Sequence, residues 1–200
     1  MSINVCNDRS MASITSLPSG VSGSSLVLIS EQTASSSATI DFTSGIDSTY
    51  KEYVFKFINV HPATDGASFS VNFRDGGSSY DATKTTTNFR AYHDEADSGT
   101  SLGYYGDEDL AQSTGVQIIG RSVGNGNDES CAGTLHLFNP SSTTFVKHFI
   151  ARTNNAHQSD KTRDVYAAGF FNNTSAINAI QFKTSSGNID AGTIKMYGVV

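Results

Sequence analysis

Turn chemistry interrupts this chain so often that little besides short strands can form between the breaks. From Leu26 onward, clusters of Gly, Asn, Asp and Ser recur roughly every 8–15 residues, and no segment keeps a helical period. Residues 26–29 are a short apolar run, and 38–42 alternate. Residues 53–60 are apolar on both parities, as expected of a central strand. The clearest alternation follows: Phe69, Val71 and Phe73 point one way while Ser70, Asn72 and Arg74 point the other. Asp65-Gly66 supplies turn chemistry before it, so residues 52–74 are expected to form an antiparallel hairpin. Residues 88–92, 116–119, 134–138, 145–151, 165–171, 177–183 and 193–199 continue the series. A second hairpin is expected around Asn139-Pro-Ser-Ser142. Residues 94–114, heavy in Asp, Gly and Ser, are expected as loop.

About eleven strands at this spacing predict an all-β fold, a sandwich or a barrel. Apolar residues on both faces of several strands favour two packed antiparallel sheets, a jelly-roll-like β-sandwich. Residues 25–200 form one such domain. Residues 1–24 carry Ser and Gly at high density and predict a flexible N-terminal arm, with Ile14, Leu17 and Val21 as apolar anchors against a neighbouring subunit. Composition agrees. Leu, Glu and Lys, on which helical surfaces are built, are scarce, whereas 12 Phe and 8 Tyr with only 16% charged residues argue against disorder. The formal charge of −6 and the lack of a basic stripe exclude a nucleic-acid binder; Arg152, Lys161 and Arg163 are the densest basic group. No run approaches the ~18 apolar residues of a membrane span. The first residues lack a basic-then-apolar leader, so synthesis in a cytoplasm is expected. Cys6 and Cys131 form no motif and are expected as free thiols, Cys131 in the core.

Catalytic motifs are missing. There is no Gly-x-Ser-x-Gly elbow, no Walker loop and no HExxH, and the five histidines are scattered, although His136 and His148 fall on facing arms of one expected hairpin. No catalytic residues and no cofactor are assigned, and an enzyme is not expected. The strongest charge feature is acidic: Asp94, Glu95, Asp97, Asp107, Glu108 and Asp109 lie within residues 94–109 with no Lys or Arg among them. A solvated loop is the plain reading. A Ca²⁺ site would also offset the repulsion, though EF-hand spacing is absent, and a glycosidase-type carboxylate pair is a further alternative. Tyr104 and Tyr105, between glycines in a polar stretch, are candidates to stack on a sugar ring or a neighbouring subunit.

Residues 26–50, the run 52–60, Asp65-Gly-Ala-Ser-Phe69 and the closing Gly192-Thr-Ile-Lys-Met-Tyr-Gly198 together resemble β-sandwich virion proteins of tailed bacteriophages, especially those of aquatic phages. The resemblance covers roughly residues 25–200, and its motifs are structural. It implies a non-enzymatic virion component of the tail-fibre, tail-tip or capsid-decoration type. Such a protein would contact other virion proteins and form a closed homo-oligomer, with a trimer favoured. The alternative function is a carbohydrate-binding module that recognises host surface glycans through Tyr104, Tyr105 and the acidic loop.

Overall fold

The computed structural model describes residues 25–200, so the expected arm and its anchors Ile14, Leu17 and Val21 lie outside the described residues. Twelve strands and no helix are present among them. In chain order they are β1 (Leu26–Thr33), β2 (Ile40–Phe42), β3 (Glu52–Pro62), β4 (Ala67–Arg74), β5 (Lys84–Asp94) and β6 (Thr100–Tyr104). Then come β7 (Gln117–Val123), β8 (Cys131–Phe138), β9 (His148–His157), β10 (Lys161–Phe171), β11 (Ala179–Thr184) and β12 (Ile189–Val199). All pairings are antiparallel.

Eight strands pair side by side in the order β1-β12-β3-β8-β9-β10-β5-β6, and four in the order β7-β4-β11-β2. The two runs join by strand pairing at a single position, Val123 with His157. The resulting sheet is nearly closed into a barrel. Its core lies between the runs, where aromatic rings from each meet. Phe57 of β3 meets Phe69 of β4 and Phe182 of β11, each at 5.2 Å between ring centres. Phe73 of β4 meets Phe149 of β9 at 5.0 Å and Phe171 of β10 at 4.8 Å. Edge-on and offset ring pairs of this kind add to the area they bury.

Eleven of the strands follow the sequence pattern, and the hairpin at Asn139-Pro-Ser-Ser142 forms, with Phe138 opposite His148. Two expectations need correction. Residues 52–74 are not a hairpin: β3 pairs with β12 and β8, and β4 with β11 and β7. A turn signal fixes that the chain reverses, not which side of the core the next strand joins. Here the reversal at Gly66, whose φ of 70° suits glycine, carries the chain across the core, so that Phe57 and Phe69 meet ring to ring. Residues 94–114 are not all loop, because Thr100–Tyr104 pairs with β5 as β6. Its sequence, Thr-Ser-Leu-Gly-Tyr, alternates over only two apolar residues, Leu102 and Tyr104, which face outward with a glycine between them.

The other face of β4, with Ser70 and Asn72, is covered as well. Both are buried, because the chain at Tyr80 and Thr114 folds over that face and accepts hydrogen bonds from Asn72 Nδ2 at 2.6 and 3.1 Å. This second covering layer also encloses Lys84. Its Nζ donates to Asn72 Oδ1 at 2.7 Å and to the Ala82 carbonyl at 3.2 Å. Burial pulls the Lys84 ammonium down from its ordinary 10.5 to about 8, against the opposing pull of Asp75. Between these values the unfolded chain holds a proton on Lys84 that the folded chain has lost, so the Lys84 contribution to stability should rise with pH across that window. At ~1.36 kcal/mol per pH unit the rise amounts to about 3 kcal/mol. Cys131 and Tyr80, both raised to about 12, pull stability the other way above about pH 9, so the Lys84 contribution should appear as the difference between the wild type and Lys84→Met in urea denaturation from about pH 8 to 10.5.

Candidate binding face

The β5–β6 hairpin places the two adjacent tyrosines on opposite sides of the sheet, as strand geometry requires of neighbours. Tyr104 points outward and is 59% exposed. Tyr105 turns inward, and the Arg90 guanidinium sits 3.3 Å from the centre of its ring. The two therefore do not form one platform. Tyr104 joins a different set instead. Strand register aligns Tyr104 with Phe89 of β5, Phe89 with Tyr166 of β10, and Tyr166 with Arg152 of β9. The rings of Phe89 and Tyr166 stack at 4.7 Å with only 4° between their planes, and the Arg152 guanidinium lies 4.9 Å from the Tyr166 ring.

Polar contacts hold this row. Arg152 Nη2 donates to Asp164 Oδ2 at 2.8 Å, and the Tyr166 hydroxyl donates to the same oxygen at 2.9 Å. The Tyr104 hydroxyl donates to Asp109, which pushes the tyrosine pKa up. Beside the row Leu102 is 73% and Ile150 52% exposed. A shallow apolar cavity of about 420 Å³ lies next to it, lined by Thr85, Thr87, His148, Ile150, Ala168 and Phe170.

The six carboxylates at 94–109 are dispersed. Asp94 accepts hydrogen bonds from the Ser98 amide at 2.7 Å and hydroxyl at 2.8 Å, which hold its pKa below the usual range. Asp97 pairs with His93 at 3.0 Å, and Asp109 takes the Tyr104 hydroxyl. Glu95 and Asp107 are exposed. Glu95 joins Asp65, Asp128, Glu129 and Asp160 around a groove of about 540 Å³ at one end of the sheet. Among the described residues, no three His, Cys, Asp or Glu side chains converge to hold a metal ion. His136 lies opposite Ile150 rather than His148, and its Nδ1 contacts Glu52 at 2.6 Å.

Glu108 goes furthest from expectation: its side chain is fully buried. Its Oε1 accepts from Arg90 Nη1 of β5 and Arg121 Nη1 of β7, each at 2.7 Å. This triad sits in the seam where β7 comes up against β5, β9 and β10 with almost no strand pairing. Side chains there take the place of a ladder. Asn88 Nδ2 donates to the Ile118 carbonyl at 3.1 Å, Asn155 Nδ2 to the Arg121 carbonyl at 3.3 Å, and the Thr153 hydroxyl to the Ile119 carbonyl. Gln117, buried, accepts from the Thr86 hydroxyl at 2.6 Å. Arg163, also in the seam, has its pKa lowered first by burial and then by Arg90. Burial, together with the positive charges of Arg163, Lys161, Arg90 and Arg121, lowers His157 to about 4, which keeps it neutral.

Glu108, Arg90 and Arg163 thus serve the seam, and the Cys131 thiol, pushed by burial up to about 12, stays protonated in the core. What the described residues offer outward is a flat aromatic row with paired charges. Tyr104 and the acidic stretch were visible as candidates, but Phe89, Tyr166 and Arg152 were not. In residues 88–92 apolar side chains fall on both parities, so the pattern does not reveal which face is exposed. Glu108 sits between Asp107 and Asp109, and nothing local distinguishes the buried one. No family model, curated protein or solved structure matches the chain.

Removing the carboxylate would leave two arginines sharing a buried site without their counter-charge. Glu108→Ala should cost about 3–5 kcal/mol of stability by urea denaturation. Glu108→Gln, which keeps an acceptor, should cost less.

Proposed function

We propose that this chain is a non-enzymatic structural protein of a tailed-bacteriophage particle, either a capsid-decoration protein or a short tail-fibre or tip subunit. The reading takes the fold as a jelly-roll-like sandwich, with the eight-strand run as one layer and the four-strand run as the other. The ring contacts of Phe57 with Phe69 and of Phe73 with Phe149, which cross from run to run, support that view. Residues 1–24 dock the domain onto the particle, and the chain reaches it from the host cytoplasm.

The observation that carries the proposal is the row Arg152–Tyr166–Phe89–Tyr104. It is a broad contact surface built on paired strands and braced by Asp164, whereas the buried groups Arg90, Glu108 and Arg163 are committed to the seam. Contact surfaces of this kind act through repetition. A symmetric particle presents many copies, so each contact can be weak while the whole holds. The chain should appear at fixed copy number in purified particles by quantitative mass spectrometry, high for a capsid and low for a tail. A chain lacking residues 1–24 should keep its strands by circular dichroism yet be lost from particles. Its absence from particles, or normal assembly of the truncated chain, would refute the docking role.

A second reading rests on Tyr104 alone. An exposed ring with its hydroxyl tied to Asp109 is the type of surface on which a sugar stacks while its hydroxyls find polar partners. In that reading the partner is a host surface glycan. A glycan array, run with and without Ca²⁺, should then show binding that Tyr104→Ala abolishes; silence in both conditions refutes it.

A further inference from the structure

We infer that the row Arg152–Tyr166–Phe89–Tyr104 is where two copies of this chain meet, face to face about a two-fold axis. The inference deepens the proposed assembly role by naming the surface and its partner. The row crosses four neighbouring strands, β9, β10, β5 and β6, and its two ends differ in charge. Arg152 stands at the β9 end. Asp109, bound by the Tyr104 hydroxyl, stands at the β6 end.

Consider an axis in the contact plane, parallel to the strands and between β10 and β5. Rotation about it lays the second copy over the first with the strand order reversed. Arg152 of each copy then lies over Tyr104 and Asp109 of the other, and Tyr166 over Phe89. The row is complementary to itself, so a single patch forms both sides of an isologous contact, and at two places an Arg152 already held by Asp164 gains a second carboxylate, Asp109 of the other copy.

Charge also selects this face over others. The chain carries −6, so two copies repel wherever unpaired acids meet. Asp164, the acid two residues from Tyr166 along β10 and beside the row, is held by Arg152 and Tyr166. The acids Asp65, Glu95, Asp128, Glu129 and Asp160 gather instead around the groove at the end of the sheet. Exposure points the same way. Leu102, Tyr104 and Phe89 (41% exposed) cluster on the adjacent strands β6 and β5, with Ile150 on β9 beyond β10, whereas singly scattered apolar residues would need no partner. Stacked rings lose little freedom on contact, which favours association. The contact yields a pair, in place of the trimer expected from sequence.

Light scattering and sedimentation of the full chain over a wide concentration range test this. The expected mass is twice that of one chain. Arg152→Glu should raise the concentration needed for pairing by at least about tenfold. Adding Asp109→Arg to that variant should restore pairing, because the exchanged charges meet again across the axis. Thermal unfolding of each variant checks that the fold is kept, and the restoration cannot come from a misfolded chain. A monomer at all concentrations, a trimer, a dimer indifferent to Arg152→Glu, or a monomer that binds glycans through Tyr104 would each overturn the inference. If the charge-reversed pair behaves as expected but the chain is absent from particles, the assembly role falls and the contact stands. If the chain is in particles but does not pair, the reverse holds.

Discussion

A single carboxylate between two guanidinium groups lets this sheet come close to closing. Strand pairing carries the chain through eight strands in one run and four in the other, but at the seam the edge of β7 meets β5, β9 and β10 with one paired position. An unpaired edge buried in a protein leaves carbonyls without donors, a cost comparable to the hydrogen bonds lost. The fold answers with side chains. Asn88, Thr153 and Asn155 donate to the carbonyls of residues 118, 119 and 121, and Glu108 draws Arg90 and Arg121 together across the gap. A buried ion pair adds little net stability over apolar packing, yet it penalises every arrangement that separates its members. Its contribution here is to the uniqueness of the closure.

That function explains why the seam was illegible in the sequence while the strands were not. Strands are local objects: alternation and turn chemistry within 5–10 residues identify them, and eleven of the twelve followed. Central placement of β3 was also readable, since apolar residues on both parities need cover on both faces. The pairing of strands is not local. Asp65-Gly66 looks the same whether the chain returns beside β3 or crosses to the opposite run, and only the packing of Phe57 against Phe69 decides. Likewise Asp107, Glu108 and Asp109 are chemically alike in sequence. The middle one is buried because arginines from β5 and β7 reach it, and those strands are separated by the β5–β6 hairpin and the loop after it.

The candidate face was half visible for the same kind of reason. Two adjacent tyrosines suggested a joint platform, yet neighbouring strand residues point apart. Tyr104 belongs to the outside, and Tyr105 supports Arg90 from within. The partners that make Tyr104 part of a surface come from β5, β9 and β10, up to 62 residues away along the chain at Tyr166. Their alignment is a property of register.

Register also ties the seam to the face. β5 is an inverted strand: Lys84, Thr86, Asn88 and Arg90 are buried, while Phe89 lies on the outside. Hydrophobic patterning alone would favour the opposite placement, with Phe89 in the core and Arg90 in water. A slip by one residue would produce it, because side chains alternate with period two. The polar residues of the seam reverse that preference. Asn88 finds the Ile118 carbonyl, Thr86 finds Gln117 and Arg90 finds Glu108 only in the observed register. Each would lose its partner on slipping, and Glu108 would keep one arginine instead of two. The aromatic row is therefore the outward consequence of the inward polar network: the hydrogen bonds that close the sheet leave Phe89 no place in the core, and put its ring beside Tyr166 on the surface.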